Sequence, residues 1–477
     1  MGSDSGVIVH SGRIQPLNQQ GFRKGDFVLY WMQQAQRAEY NPALEYGIEL
    51  ANALNQPLKV VFALTADYPE ANLRHYWFML QGLKDVQAGL KKRGIALAVV
   101  LGNPPDVALA SGRRASVIVC DRGYLRHQKT WRRRIAAEAL CRVVQVESDV
   151  IVPVDVVSTK SEYAARTIRP KIKKHLHVYL QPSRHLRLEN DSLALKTSGQ
   201  SLSNPQKLLS RLKLDRSVGP VAFFTGGTTA AKKHLRQFIS GHLAHYDRNS
   251  SKPHTEDVSH LSPYLHFGQI SPLHIALRVQ ATSKGSDPDK AAYLEQLIVR
   301  RELSMNFVNF NAAYDQFDVL PQWARHTLEA HAGDRRTRLY DLNALASAAT
   351  HDPYWNAAML EMKITGFMHN YMRMYWGKKI LEWSPSPQIA FQNTLALNNK
   401  YFLDGRDPNS YVGVAWIYGL HDRAWKERPI FGKVRYMAAS GLERKCDIRA
   451  YVEKIEKLAR ANLDNRAARN GVMQTKP

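Results

Sequence analysis

Between His351 and Trp425 the chain gathers residue types that can do chemistry: HDPYWNAAMLEMKITGFMHNYMRMYWGKKILEW, then LNNKYFLDGRDPNSYVGVAW, then HDRAW. Arginines and aspartates form charge-assisted pairs, amides hydrogen-bond without titrating, and indoles pack or stack on flat rings. Trp376 and Trp383 are seven residues apart, which on a helix is two turns, or roughly 10 Å along one face. Arg373 lies one turn before Trp376. Downstream, DGRDPN (Asp404 to Asn409) is turn chemistry: glycine admits unusual backbone angles and proline blocks helix continuation. From periodicity alone, the stretch is a core helix with aromatic ridges followed by a tight loop.

The elements that position these residues fall into two kinds. A chain of 477 residues is long enough for two or more domains. DFVLYW, PLKVVFAL, IALAVVL and ASVIVC are short, apolar and rich in branched side chains. Between them Asn41 to Leu54, Asn72 to Arg93 and Leu125 to Leu140 have helical length and pattern. The alternation predicts an α/β domain over 25–157, a Rossmann-like parallel sheet with crossover helices, behind a flexible lead-in over 1–24. No GxGxxG follows the first strand, so a nicotinamide-type oxidoreductase loses support. Residues 158–225, with Lys171-Ile-Lys-Lys-His and scattered Ser, Gln and Pro, read as an interdomain linker, more a solvated one than a basic arm for DNA. Thr225-Gly-Gly-Thr-Thr-Ala-Ala-Lys-Lys lacks the spacing of a phosphate loop and reads as a helix start with threonine as cap. From 226 to 464 strand signals nearly vanish, which predicts an all-α domain. Residues 465–477 form a polar, basic and frayed tail.

Charge narrows the function classes. Lys+Arg is 66 against Asp+Glu 42, a net charge of +24. Such an excess predicts a polyanionic partner, because neutralising phosphates releases counterions. No apolar run of about 18 residues is present, so a membrane partner is not expected. Cys120, Cys141 and Cys446 are too few and scattered for a disulfide framework or a metal knuckle, and no metal site is expected. Cys120, inside an apolar run, reads as a buried thiol. With no signal-peptide pattern at the start, the expected location is cytoplasmic, on the nucleoid if the source is bacterial or archaeal.

The motifs resemble a known family. MHNYMRMYWGKKILEW, LDGRDPN, GVAW and HDRAW are similar to the signature of class II cyclobutane pyrimidine dimer photolyases. LSPYLHFGQIS (Leu261 to Ser271), LIVRRELSMNF (Leu297 to Phe307) and YWMQQAQRAEYN near the start match the same family. The likeness keeps one order from about Asp26 to about Tyr451, which makes it far more specific than a lone glycine pattern.

The resemblance implies a folded FAD buried in the helical domain and active as FADH-, with an antenna chromophore of deazaflavin or folate type as an option for the α/β domain. It implies flavin contacts from Tyr246 and from Val258, Ser259, His260, Leu261 and Ser262, the last five just ahead of a helix whose free N–H groups suit a pyrophosphate. Gln269, Arg301 and Asn306 lie near the pocket on the same grounds, and Asn370, Asp407 and Asn409 near the adenine and ring. Around the isoalloxazine it assigns Arg373, Asn398 and Asp404. Arg373 offsets negative charge, Asp404 pins the guanidinium by a bidentate pair, and Asn398 sits near flavin N5. Trp355, Trp376 and Trp383 match the family's tryptophan relay, although core packing explains any single tryptophan equally well. For the lesion and DNA the resemblance assigns Arg248, Gln296, Arg300, Met374, Trp416, Asp422, Arg423 and Trp425, with Arg301 among the positive charges. Damaged pairs cost less to unstack, which favours extrusion into a pocket.

Three departures stand out. Gln296 occupies the place of an acid that would hydrogen-bond the dimer, and the adjacent Glu295 would point about 100° away on a helix. WIYGLHDRAW is one residue short of the usual spacing before HDRAW, and Met305 replaces an aspartate. The expectation is an enzyme, a deoxyribodipyrimidine photo-lyase, acting as a monomer without an obligate protein partner on UV-damaged double- or single-stranded DNA. The alternatives are a (6-4) photoproduct photolyase, which Gln296 favours, and a cryptochrome-like flavin photosensor without repair activity.

Overall fold

The computed structural model of the chain describes residues 8–195 and 198–474, the side chains of 465–474 excepted. By packing, the described chain groups into two compact units. One comprises Met1–Pro220, Thr225–Gly241 and Ser259–Ala312; the other comprises Val221–Phe224, His242–Val258 and Ala313–Pro477. The units interleave along the sequence, where the sequence reading draws contiguous domains.

The first unit is built on a six-stranded sheet. Its strands are β1 (Ile14–Pro16), β2 (Phe27–Trp31), β3 (Leu58–Leu64), β4 (Ala96–Leu101), β5 (Ala115–Asp121) and β6 (Arg142–Val146), in the order β1-β6-β5-β2-β3-β4. All neighbours are parallel except β1, which runs antiparallel to β6. Alternation along β2 sorts the two faces, since successive side chains of a strand point to opposite sides. Val28 and Tyr30 enter one core with residues of α1 (Pro42–Ala53) and α2 (Leu73–Lys91). Phe27, Leu29 and Trp31 enter the other with residues of α3 (Pro104–Gly112) and α4 (Arg126–Glu138). Asn41 and Asn72 cap α1 and α2 with their side chains, which places both helix starts where the sequence pattern expects them. This doubly wound sheet is the expected α/β architecture. β1, β6 and α3 were not anticipated, being short and weakly patterned.

Three local expectations are corrected. The described part of the lead-in, from residue 8, is not free. β1 pairs with β6, and the buried Arg13 guanidinium donates to the carbonyls of Glu147, Val150 and Ile151. Residues 1–7 lie outside the described chain. The stretch 158–225 is no solvated linker. It carries α6 (Ala165–Tyr179) and α7 (Pro205–Ser210), with α5 at Val154–Val157 just before it. Its Leu188, Leu202, Leu208, Leu209 and Leu212 are buried in the core shared with α1 and α2, each worth about 2 kcal/mol. Their spacing is irregular, which hid them among Ser, Gln and Pro. Third, α8 (Thr228–Gln237) is capped by Gly227 with φ 124°, not by threonine. The first unit is completed by α10 (Ser262–His266), α11 (Pro272–Ala281), α12 (Asp287–Leu294), a π-helical turn over Glu295–Arg300, and α13 (Arg301–Phe310).

The second unit is helical among its described residues: α9 (Tyr246–Asn249), α14 (Gln322–Ala330), α15 (Leu342–Ser347), α16 (Pro353–Thr365), α17 (Asn370–Trp383), α18 (Pro387–Tyr401), α19 (Pro408–Ile417), α20 (Ala439–Lys445) and α21 (Ile448–Gln474). α16 packs along α17 and α21, and α18 on α17 and α19. The expected tail from 465 falls mostly outside the described side chains, its backbone continuing as helix to Gln474. No helix among the described residues is long and apolar enough to cross a membrane.

Candidate functional site

Four helices of the second unit, α16 to α19, and the loop between α18 and α19 carry the residues expected around the isoalloxazine and the three tryptophans. Gly366, at φ 75°, ends α16, and its carbonyl accepts Leu403 N–H at 2.9 Å, tying the turn before α17 to the loop after α18. In that loop, LDGRDPN, a Cβ on Gly405 would lie 2.9 Å from the Asn398 carbonyl oxygen, so only glycine fits. This tight return brings Asp404 under Arg373 of α17. Arg373 Nη2 lies 3.0 Å from both oxygens of Asp404, and Nε donates to the Met368 carbonyl at 3.1 Å. The pair is therefore end-on rather than the expected two-nitrogen fork, because Nε is turned to the main chain. Nη1 is left with no acceptor among the described residues. The guanidinium also lies over the Phe402 ring, 3.8 Å from its centroid. Sequence reading missed Phe402, although it adjoins LDGRDPN.

Asn398, buried on α18, uses its amide on neighbours: Nδ2 donates to Asn399 Oδ1 at 2.9 Å and pairs with Ser410 Oγ at 2.8 Å, while Oδ1 faces the same hydroxyl at 3.1 Å. One lone pair of Oδ1 remains for a further donor. Asp407 is the side-chain cap of α19, accepting Asn409 N–H at 2.8 Å. Asn409 and Asn370 are exposed at helix starts. Tyr246 opens the one-turn α9 half-buried, and burial pushes its phenol up to about 12. Arg248 of the same turn is exposed, and Val258 and Met374 are half-buried.

The three tryptophans come together. Trp355 on α16 and Trp376 and Trp383 on α17 are each at most 2% exposed. Trp355 Nε1 donates to the Trp376 carbonyl at 2.9 Å, and its ring meets Trp383 at 5.7 Å between centroids. Trp376 Nε1 is buried with no hydrogen-bond partner among the described residues, a costly state for a donor unless a ligand supplies the acceptor. Tyr340 and His351 pack on the far side of Trp383, at 5.4 and 5.2 Å between centroids. Nothing in their sequence neighbourhood marks them as a pair.

The loop after α19 is basic and aromatic. Trp425 is 40% exposed, with the guanidinium carbons of Arg423 and Arg435 at 5.4 and 4.9 Å from its ring. Asp422 Oδ1 accepts Arg423 N–H at 2.9 Å. Trp416 is half-buried on α19, edge-on to His421 at 5.9 Å. Arg435 was not singled out from sequence.

The first unit holds other expected residues, and several of them bond to its main chain. Gln269 is fully buried, its Oε1 accepting Gly227 N–H at 2.7 Å and its Nε2 donating to the Phe78 carbonyl at 3.4 Å. Asn306 accepts Glu162 N–H at 2.7 Å and donates to the Lys160 carbonyl at 3.0 Å. Arg301, 6% exposed, donates to the Asp149 carbonyl. With these atoms the three residues hold loops of their own unit. The segment expected to meet an anion leads into α10. The helix has five residues, its N-cap is Leu261 without a side-chain bond, and His260 sits at φ 52°. So short a helix carries little dipole. Ser259, His260 and Ser262 are half-buried, and Leu261 is buried.

Gln296 is exposed, in the π-helical turn after α12. Glu295 cannot stand in for the missing acid: Arg169 grips it through Nη2 at 2.7 Å and Nε at 3.1 Å, with Arg300 Nε at 3.6 Å. Arg300 is half-buried and Met305 fully buried.

A doubly wound sheet followed by a helical remainder is the architecture of photolyases and cryptochromes. The chain superposes on a bacterial class III photolyase from Agrobacterium tumefaciens with TM-score 0.70 at 18% identity, covering 91% of this chain and 87% of that one. It superposes on an archaeal photolyase from Sulfolobus tokodaii, solved with two FAD molecules, with TM-score 0.66 at 15% identity, over 90% and 89%. A family model described as DNA photolyase matches residues 28–187. The deoxyribodipyrimidine photo-lyase of Methanothermobacter thermautotrophicus is 49% identical over 452 residues, 94% of this chain and 99% of the relative. The chain belongs to the DNA photolyase family.

Proposed function

We propose that the chain is a light-driven DNA repair enzyme that splits cyclobutane pyrimidine dimers and holds FAD in its reduced form. The observation that carries this reading is the Arg373–Asp404 pair, one turn before the buried Trp376. The residues fit the cofactor. A part-buried guanidinium bonds through Nε and Nη2 and keeps Nη1 for an anion, and the buried Trp376 indole N–H has no acceptor among the described residues. When bound and reduced, FAD supplies on excitation one electron that a dimer can take up and return after its ring opens, with no net redox change.

The protein's part is to bind, orient and tune. Arg373 favours the anionic ring, and Asp404 keeps the guanidinium from swinging away. Asn398 offers an amide oxygen that does not titrate. Trp376, Trp355 and Trp383 would form a path for an electron: the Trp355 and Trp383 rings lie 5.7 Å apart between centroids, and Trp355 Nε1 reaches the Trp376 carbonyl at 2.9 Å. The net charge of +24 draws DNA, and Trp425 between Arg423 and Arg435 offers a flat cationic stack for bases. Trp416 and Gln296 are assigned to the lesion.

The test is to illuminate the reduced, flavin-loaded protein with oligonucleotides carrying either a cyclobutane dimer or a (6-4) photoproduct, and to measure restored pyrimidines. Restoration from the cyclobutane dimer is expected. Restoration only from the (6-4) lesion, or flavin binding without repair, would replace this reading with one of the two alternatives.

A further inference from the structure

We infer that Tyr340 is the terminal electron donor of the tryptophan path and that His351 Nδ1 takes its phenolic proton. The inference rests on reading Trp376, Trp355 and Trp383 as an electron path. The Tyr340 hydroxyl lies 2.8 Å from His351 Nδ1. The His351 backbone N–H donates to the same oxygen at 3.0 Å. An oxygen accepting that bond turns its own hydrogen elsewhere, and Nδ1 is the acceptor in reach, so the network assigns O–H donating to an unprotonated Nδ1. The two rings are parallel within 12°. Tyr340 is also locked to the path: its backbone N–H donates to the Trp383 carbonyl at 3.1 Å, and its ring stands edge-on to that indole at 5.4 Å. His351 is exposed and Tyr340 half-buried, so a proton passed to the imidazole can leave to water.

The step balances within these residues. Trp383, left as a one-electron-oxidised indole after an electron has moved inward through Trp355 and Trp376, takes one electron from Tyr340. The phenolic O–H bond breaks as its proton moves to Nδ1. The products are neutral Trp383, a neutral tyrosyl radical and an imidazolium. An oxidised phenol is a strong acid, so the transfer is uphill without a base at hydrogen-bond distance and is trapped with one. A small thiol in solution later returns the electron and a proton to Tyr340.

The experiment is electron paramagnetic resonance on the flavin-loaded protein, illuminated with the flavin oxidised and no added thiol. The expected wild-type signal is a neutral tyrosyl radical whose formation slows in heavy water. In Tyr340→Phe the tyrosyl signal is lost, a tryptophanyl signal replaces it, and the isotope effect on that step disappears. In His351→Phe the phenol remains without its base, and the tyrosyl yield falls. A wild type showing only a tryptophanyl radical, or a Tyr340→Phe variant that keeps the tyrosyl signal, overturns the inference while leaving the tryptophan path standing. Absence of any aromatic radical in the wild type overturns the path and the inference together.

Discussion

Both units bury polar side chains, and they use them differently. In the first, Arg13 donates to three carbonyls, Arg37 to those of Tyr40, Ser148 and Gly268, and Glu302 accepts the N–H groups of Ile151 and Val152. Asn306 and Gln269 are tied in the same way. These groups satisfy main chain that the sheet and helices leave unpaired. In the second unit the buried Trp376 Nε1 has no hydrogen-bond partner among the described residues, and the part-buried Arg373 uses Nε and Nη2 but not Nη1. A buried polar group with every atom bonded to backbone is a structural tie. A donor left over is a place for a ligand to bind, although unbonded buried atoms such as Gln36 Oε1 and Ser116 Oγ occur in the first unit too.

The largest effect that could break this contrast is expected at Asp404. Asp404→Ala leaves Arg373, only 20% exposed, without its counter-ion, which costs about 3 kcal/mol when one partner of a mostly buried pair is removed. Flavin absorbance should be lost in the same variant, because the guanidinium is no longer held. Thermal unfolding and the visible spectrum measure the two effects. A variant that keeps a full flavin complement would detach the pair from the cofactor.

Next in size are two buried acids, one in each unit. Desolvation pushes Glu361, beneath Tyr451 and the His369 N–H, up to about 7, and Glu302 up to about 8, against a usual 4.5. Folded protein therefore holds these protons after the unfolded chain has released them. Each acid adds stability below pH 4.5 that is lost as pH rises, through about 7 for Glu361 and about 8 for Glu302. A shift of that size for Glu361 corresponds to about 3–4 kcal/mol. Glu361→Gln should remove its share of the slope between pH 5 and 8 in denaturant titrations, and Glu302→Gln should remove the higher window. Equal slopes in wild type and variant would show that water reaches the carboxyl.

The same contrast explains what was legible in the sequence. The sheet was readable because β2 to β5 are continuous apolar runs with helical stretches between them. The core leucines of 158–225 were not, because they pack from irregular chain that has no period. In the site, Arg373, Asp404 and the three tryptophans were legible through long ordered motifs. Gln269, Arg301 and Asn306 lie in matching motifs as well, yet their polar atoms are used on Gly227, Asp149, Lys160 and Glu162. A motif reports that a residue is fixed, not whether a ligand or the fold fixes it. Tyr340 and His351 could not be paired in advance, since their juxtaposition arises only when α16 begins beside the end of α17.

Asn306→Ala sharpens the comparison from the structural side. Removing the side chain frees one N–H and one carbonyl in the 160–162 loop, a cost of about 2 kcal/mol. The visible spectrum of bound flavin should not move. A variant that folds but loses flavin would return Asn306 to the ligand-facing residues.

Gln296→Glu should have the smallest effect on folding and a distinct one on chemistry. The side chain is exposed, so stability should stay within about 0.5 kcal/mol. A new carboxylate would stand next to Glu295, whose own charge is already met by Arg169 and Arg300, so local repulsion is offset. Glu295 is held by that grip, so on the proposed reading it is position 296 that addresses the lesion. A carboxyl group there can hydrogen-bond a dimer more strongly than an amide, and the yield of restored pyrimidines per absorbed photon is expected to rise. DNA affinity should fall slightly, because an added negative charge faces a polyanion. Measuring repair yield and affinity on the same oligonucleotide separates the two effects. A yield that stays level or drops while affinity falls would mean that Gln296 meets phosphate rather than the lesion, and that the amide is suited to its place as it stands.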